Sequence, residues 1–238
     1  MSDVAVALLA GGLATRLRPI TETIPKALVE VAGRPFIEHQ LLLLARHGVR
    51  RAVLCLGYRG EQVEQRLGAK FESIALDYSY DGPELLGTAG ALRNAAPLLS
   101  DVFWVLYGDS YLPVDYHAIL ESFERTQALG LMTVYRNDNR HDKSNAIFVN
   151  GMLEKYDKRL PDPRMTYIDY GLALLRRSVL ARIPEGQSVD LADIYSQLVA
   201  VREMIGYEVN QRFYEIGSPE GLSETHAYLE ARGRDAIV

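Results

Sequence analysis

Cysteine occurs once in the 238 residues, at Cys55, so neither an internal disulfide nor a cysteine-clustered metal site can form. A cationic excess is also absent. The formal net charge is −5, which argues against a nucleic-acid or anionic-membrane partner. No apolar run is long enough to span a bilayer, and Met1-Ser2-Asp3 is acidic where a secretion signal would be basic. These absences predict a soluble protein of the cytoplasm. His39, His47, His117, His141 and His226 show no zinc-ligand spacing, and no G-x-S-x-G elbow marks a serine nucleophile. Two phosphate-loop signatures are missing as well. No Gly-Lys-Ser or Gly-Lys-Thr closes a Walker loop, and Gly11-Gly12-Leu13-Ala14-Thr15-Arg16 fits G-x-G-x-x-G in no register. The second absence speaks against a dehydrogenase.

What is present is a composition of 48% hydrophobic and 24% charged residues, ordinary for one α/β domain with a sizeable core. Val4–Ala10, Ala52–Leu56, Ile74–Tyr78 and Val102–Tyr107 read as buried strands. Helices alternate with them: one opened by Pro35 and closed by Gly48, then Gln62–Leu67, then Thr88–Ala96, stopped by Pro97. That alternation predicts a parallel sheet covered on both faces, with its strand-to-helix loops gathered at one edge. Leu131–Tyr135, Ala146–Val149, Tyr167–Leu175 and Met204–Val209 read as further strands with fewer helices between them, which implies a mixed sheet or a small subdomain. Asn137–Ser144 reads as a mobile polar loop. A last helix, capped by Ser218 and begun by Pro219, is expected to run to about Ala231 and then fray at Gly233.

The first strand breaks at Gly11-Gly12, and the loop beyond it carries Thr15, Arg16, Arg18 and Lys26 against one acid, Glu22. Glycines let backbone N–H groups approach phosphate oxygens, and cations neutralise what the backbone cannot. A nucleoside triphosphate site at this strand end follows. Val102–Tyr107 ends in Gly108-Asp109-Ser110, which puts a carboxylate on the same edge, where it can hold Mg²⁺ against phosphate. Leu86-Gly87-Thr88-Ala89-Gly90 opens a helix, and it can seat an anion, take a planar base against its backbone, or be a tightly packed cap. Asp157-Lys158, Asp169-Tyr170-Gly171 and Tyr214-Glu215-Ile216-Gly217 are weak signals on their own, readable as a surface pair, a strand bulge and a strand end.

Taken together, GGLATRLRP with PKALVEVAGRP, then LGTAGAL, YGDS and FYEIGSPEGL give a chain that resembles the sugar-1-phosphate nucleotidylyltransferases from about Val4 to Leu229. It looks most like the bacterial branch acting on heptose- or hexose-1-phosphates. The resemblance implies a Rossmann-like three-layer α/β/α sandwich with a mixed central sheet. It implies one domain over 1–238, with a nucleotide-binding half at about 1–112 and a sugar-phosphate half at about 113–238. It implies Mg²⁺-dependent condensation of a nucleoside triphosphate with a sugar-1-phosphate to give a nucleoside diphosphate sugar and pyrophosphate.

Residue by residue, the resemblance places Gly11, Gly12, Thr15 and Arg16 on the triphosphate, Lys26 toward its α-phosphate, and Gly87 and Thr88 against the nucleoside. Lys158 falls on the sugar phosphate, Asp169 and Gly171 along the sugar, and Asp109 with Glu215 on the metal. GTP is the expected donor, with Asp81 able to accept from the N1 and N2 hydrogens of guanine. UTP, dTTP and CTP stay open, as does a non-catalytic sensor built on the same fold, although Arg16, Lys26 and Asp109 are all retained. Relatives of this type often form homodimers, and no apolar stripe marks such an interface here. Two departures matter: Ala14 stands where the family loop usually has its third glycine, and Glu215 where it usually has aspartate. If position 14 needs a positive φ, alanine carries a cost there.

Overall fold

In chain order the first half runs β1 (Ala5–Leu9), a ribbon of β2 (Glu30–Val31) and β3 (Arg34–Pro35), α1 (Phe36–Arg46), β4 (Arg51–Leu56) and α2 (Gly60–Leu67). It continues through β5 (Lys70–Phe71), β6 (Ile74–Tyr80), α3 (Gly87–Asn94) and β7 (Val102–Tyr107). The second half adds β8 (Ser110–Tyr111), α4 (Tyr116–Glu124), β9 (Gly130–Arg136), β10 (Ala146–Val149), β11 (Met152–Tyr156) and β12 (Tyr167–Arg176). Then follow α5 (Leu191–Ala200), β13 (Met204–Val209), β14 (Tyr214–Glu215) and α6 (Pro219–Asp235). These elements come from a computed structural model that describes residues 4–235; the acidic Met1–Asp3 lies outside the described residues.

Ten strands form one mixed sheet in the order β10-β11-β13-β9-β12-β7-β1-β4-β6-β5. β1 pairs in parallel with β4 on one side and β7 on the other, and β6 extends the parallel set beyond β4. β12 runs antiparallel to both β7 and β9. Because the chain leaves β1 first to one side and later to the other, a crevice opens at the carboxyl ends of β1, β4 and β7, where such sheets bind ligands.

Side chains alternate between two cores. Val6 and Leu8 of β1 join Ala52, Leu54 and Leu56 of β4 under α1, α2 and α4. Ala7 joins Val53 and Cys55 on the opposite face under α3 and α5. Both faces are dry, so the strands read as continuous apolar runs and the architecture is the expected α/β/α sandwich. At roughly 25 cal/mol per Å² of apolar surface removed from water, these two layers dominate the folding energy.

Every expected strand and helix is present, within a residue or two except at the end of the last helix, and the differences are local. α4 and α5 stand where fewer helices were expected. Asp115 caps the first by accepting from His117 and Ala118 N–H, and Asp190 caps the second by accepting from Ala192 N–H. β11 was also hidden, since Glu154 and Lys155 interrupt its apolar pattern. The final helix continues to Asp235 rather than fraying at Gly233. Asn137–Ser144 is tied down rather than loose. The buried Asn137 amide donates to Asp142 O at 2.6 Å and accepts from His141 N–H, while Ser144 Oγ accepts from Asn139 N–H. No helix among the described residues is long and apolar enough to cross a membrane.

Candidate active site

The carboxyl ends of β1 and β7 are locked together before any site is built. Gly108 N–H donates to Leu9 O at 2.9 Å, and Gln40 of α1 donates to both Tyr107 O and Ser110 O, at 2.9 and 2.7 Å. Gln40 is buried on an otherwise apolar helix face and fixes the turn that presents Asp109. A lone amide among Ile37, Leu41 and Leu44 was the signal that could have revealed it. On the other side, Gly11 lies so close to Gly57 that a Cβ on Gly11 would stand 3.0 Å from Gly57 N. Glycine is needed there for contact with the end of β4. Ala14 occupies the left-handed region, φ 48° and ψ 45°, at a cost of about 1 kcal/mol for an L-residue. Thr21 Oγ1 and Leu17 N–H both donate to its carbonyl and hold it there.

Two cavities open on this edge and share Tyr107 and Asp109 in their walls. The first, about 230 Å³, is lined by Gly11, Gly12 and Lys26 together with Cys55, Asp81, Gly87 and Thr88. Its apolar walls, including Leu9, Leu85 and Ala91, suit a flat ring. Burial pushes the Cys55 thiol up to about 12, so it is inert. Burial also raises the Asp81 carboxyl, partly opposed by the Leu86 N–H that Asp81 Oδ2 accepts. The second cavity, about 700 Å³, gathers Arg16, Lys158, Asp169, Gly171 and Glu215. Thr15 stands exposed on the glycine loop and lines neither cavity.

The helix start at Leu86–Gly90 turns out to be packed. Ala89 and Gly90 N–H both point to Val189 O, and Thr88 Oγ1 donates to Asp190 Oδ1 while accepting from Leu191 N–H. The Ala89 and Gly90 N–H groups are therefore not offered to an anion, and these contacts are those of a tightly packed cap. Gly87 has φ +69°, and a Cβ there would lie 2.6 Å from Val189 O. Gly87→Ala is expected to cost about 2–4 kcal/mol, from left-handed strain plus the clash. Urea unfolding measures it; a loss of only a few tenths would mean that residues 187–190 do not lie on α3.

At the junction of the cavities Lys26 Nζ meets Asp109 Oδ2 at 2.8 Å, the two side chains 18% and 31% exposed. Burial alone would raise the Asp109 carboxyl. The Lys26 ammonium, by charge and hydrogen bond, joins the Ser110 hydroxyl and the local backbone N–H to outweigh it, and together they hold the carboxyl below the usual range. Glu215 sits beside it because β8 and β14 pair, Ser110 opposite Glu215, with Ile216 N–H donating to Asp109 O at 2.9 Å. The Glu215 carboxylate folds back over its own turn, accepting from Gly217 N–H and from Ser218 Oγ. Arg16 reaches the same turn, its Nη2 standing 3.0 Å from where a Gly217 Cβ would be.

Each carboxylate oxygen has two lone pairs, and those of Asp109 and Glu215 are not all used. Hard oxygens from one or two carboxylates, completed by phosphate and water, are the set that Mg²⁺ takes. The donor chemistry fits. No group of three or more His, Cys, Asp or Glu side chains able to hold a metal exists among the described residues.

Deeper in the second cavity, β12 slips register against β9 between Asp169 and Ala173, and Gly171 there has φ +96°. The strand-bulge reading of Gly171 is thus correct, and the bulge turns Asp169 toward Lys158, 3.5 Å from Nζ. Asp157 is not the partner of Lys158; it accepts from Arg159 and Leu160 N–H and closes its own turn. Tyr107 and Tyr156, both missed in the sequence, face the Lys158 ammonium.

Known proteins are similar to this chain in sequence and in fold. Mannose-1-phosphate guanylyltransferase catalytic subunit beta of Drosophila melanogaster is 28% identical over 219 residues, covering 90% of this chain and 59% of that protein. UTP–glucose-1-phosphate uridylyltransferase of Synechocystis is 28% identical over 211 residues, covering 81% and 54%. The chain thus spans less than two thirds of the length of these curated relatives. Among solved structures, HddC from Yersinia pseudotuberculosis superposes with a TM-score of 0.79 over 95% of this chain and 99% of that one, at 24% identity. A family model described as nucleotidyl transferase matches residues 5–230, a span that contains every element lining the two cavities, and to that family the chain belongs.

Proposed function

We propose that the protein is a cytoplasmic, Mg²⁺-dependent sugar-1-phosphate nucleotidylyltransferase, taking GTP in preference and a heptose- or hexose-1-phosphate as acceptor. One observation carries the reading: an apolar-walled slot and a wider polar cleft meet at the Lys26–Asp109 pair. Two substrates can thus be presented to each other across a charged joint. In this reading Gly11, Gly12 and Thr15 take the triphosphate, and Arg16 lies against the departing pyrophosphate. Gly87 and Thr88 bound the nucleoside, Lys158 takes the sugar phosphate, and Gly171 borders the sugar. The names of relatives that transfer guanylyl groups favour GTP, and so does Asp81. An acceptor-only carboxylate suits the N1–H and N2–H₂ edge of guanine. The Synechocystis relative keeps UTP as the second candidate.

A sugar-phosphate oxygen would attack the α-phosphorus, the bond to the β-phosphate oxygen would break, and pyrophosphate would leave with the electron pair. A phosphate monoester is already an anion near neutral pH, its second pKa being about 6, so no general base is required. The residues then act by positioning and by charge. Lys26 stabilises charge developing on the α-phosphoryl oxygens. Bound by Asp109 and Glu215, Mg²⁺ would neutralise and orient phosphate oxygens.

Glu215→Gln keeps an acceptor for the turn but removes the charge. The Mg²⁺ concentration for half-maximal activity is expected to rise by about tenfold or more; an unchanged requirement takes Glu215 out of the metal set. The reading as a whole is tested by pyrophosphate release, with GTP, UTP, dTTP and CTP each offered against a panel of sugar-1-phosphates. Release that depends on one pair supports the class and names both substrates. Triphosphate binding without turnover would favour a sensor, and no binding would end the phosphate-loop argument.

A further inference from the structure

Asp169 was expected to lie along the sugar, yet its side chain is only 3% exposed. Its oxygens already have partners. Oδ1 accepts from Gly171 N–H at 3.0 Å, while Oδ2 accepts from Tyr156 OH at 3.1 Å and faces Lys158 Nζ at 3.5 Å. Asn145 Oδ1 accepts from Asp169 N–H at 2.8 Å and fixes the backbone beneath. Lys158 is different. Its side chain is 40% exposed, and its ammonium stands 5.2 Å from the centre of the Tyr107 ring and 6.0 Å from that of Tyr156. Two ring faces and one carboxylate surround the cation and leave its remaining side open to the cleft. Cations held over aromatic faces gain from the ring quadrupole, more so where water is partly excluded.

We infer that Asp169 is a positioning residue: with the rings of Tyr107 and Tyr156 it cages the Lys158 ammonium and presents it to a phosphate monoester, without touching the sugar. Held in this way, a flexible lysine gives up its rotamer freedom before the ligand arrives rather than on binding. Tyr107 lines both cavities, so the cage also sets where the acceptor phosphate stands relative to the nucleotide slot. This inference rests on the assignment of Lys158 to the sugar phosphate, but not on turnover.

The charge of Asp169 makes the test sharp in sign. A carboxylate that merely sits near the cleft repels an anion, so Asp169→Asn would tighten phosphate binding. A carboxylate that holds Lys158 in place is needed, so the same change weakens it. Titration calorimetry with inorganic phosphate on the wild type, Asp169→Asn, Lys158→Ala and the double variant decides between them. Phosphate affinity should fall roughly tenfold in Asp169→Asn, the scale of one contact to a charged group, and should not fall further when Asp169→Asn is added to Lys158→Ala. The KM for the sugar-1-phosphate should rise with it, while kcat and the triphosphate KM stay within about twofold.

Tighter or unchanged binding overturns the inference, and so does an additive loss in the double variant, which would put Asp169 on the ligand itself. Failure of the wild type to bind phosphate overturns it too. If no sugar phosphate turns over but the phosphate cycle behaves as stated, the proposed function fails and the cage stands. Should Asp169→Asn not fold, Tyr156→Phe removes the hydroxyl that orients the carboxylate, and a loss of about threefold is expected; no loss overturns the inference.

Discussion

Lys26→Ala is expected to lower kcat by about a hundred- to a thousandfold, the cost of deleting one donor aimed at developing charge, with triphosphate affinity changed only a few-fold. The difference between the two effects follows from what holds each state. In the ground state the triphosphate would be met by the glycine loop at Gly11-Gly12 and by Arg16, and neither depends on Lys26. Lys26 stands at the joint of the cavities, 2.8 Å from Asp109, where in the proposed reaction charge would accumulate only as the α-phosphorus is attacked. Equal losses in kcat and in affinity would show uniform binding and a wrong role.

The same substitution carries a signature in pH. With Lys26 in place the Asp109 carboxyl lies below its usual range, because the ammonium and the hydrogen bonds beside it outweigh burial. Without the ammonium only the Ser110 hydroxyl and the local backbone N–H still oppose burial, so the carboxyl rises. The acidic limb of the residual activity should therefore move to higher pH in Lys26→Ala. An unmoved limb would mean that Asp109 does not set it.

How much of this was legible beforehand depended on the range of the interaction. β1, β4 and β7 are buried on both faces, so their residues form unbroken apolar runs that need no partner to be recognised. Lys26 and Asp109 follow from strand ends converging on one edge, which the crossover rule supplies without coordinates. What stayed hidden joins residues far apart in the chain. Gln40 bonds carbonyls 67 and 70 residues away, and the ring of Tyr107 meets a lysine that arrives four strands later. Ala14 could be flagged as a departure, but only its φ of 48° shows that the cost is incurred. Glu215 was legible as a charge and not as a shape. Its extra methylene lets the carboxylate turn back onto Gly217 N–H and Ser218 Oγ, a contact that no spacing rule reveals.

Asp109→Asn should abolish Mg²⁺-dependent turnover, by about a thousandfold or more, equivalent to roughly 4 kcal/mol of transition-state stabilisation. Asparagine keeps the shape and an acceptor for Ser110 Oγ, now 3.1 Å from Oδ1, so the turn held by Gln40 should persist. The loss would then reflect charge. Stability gives an independent reading of the same group. Lys26 is only 18% exposed, and leaving it without a counter-ion at a half-open site costs about 1–2 kcal/mol.

That cost has a defined pH dependence. The folded carboxyl lies below its unfolded value of about 3.9, so its contribution is fully present above that value and disappears as pH falls through the folded one. Denaturant melts of wild type and Asp109→Asn should therefore differ at neutral pH and converge under acid, below the unfolded value. A difference that persists or grows on acidification would assign the stability change to packing, and full turnover by the variant would remove Asp109 from the reacting centre.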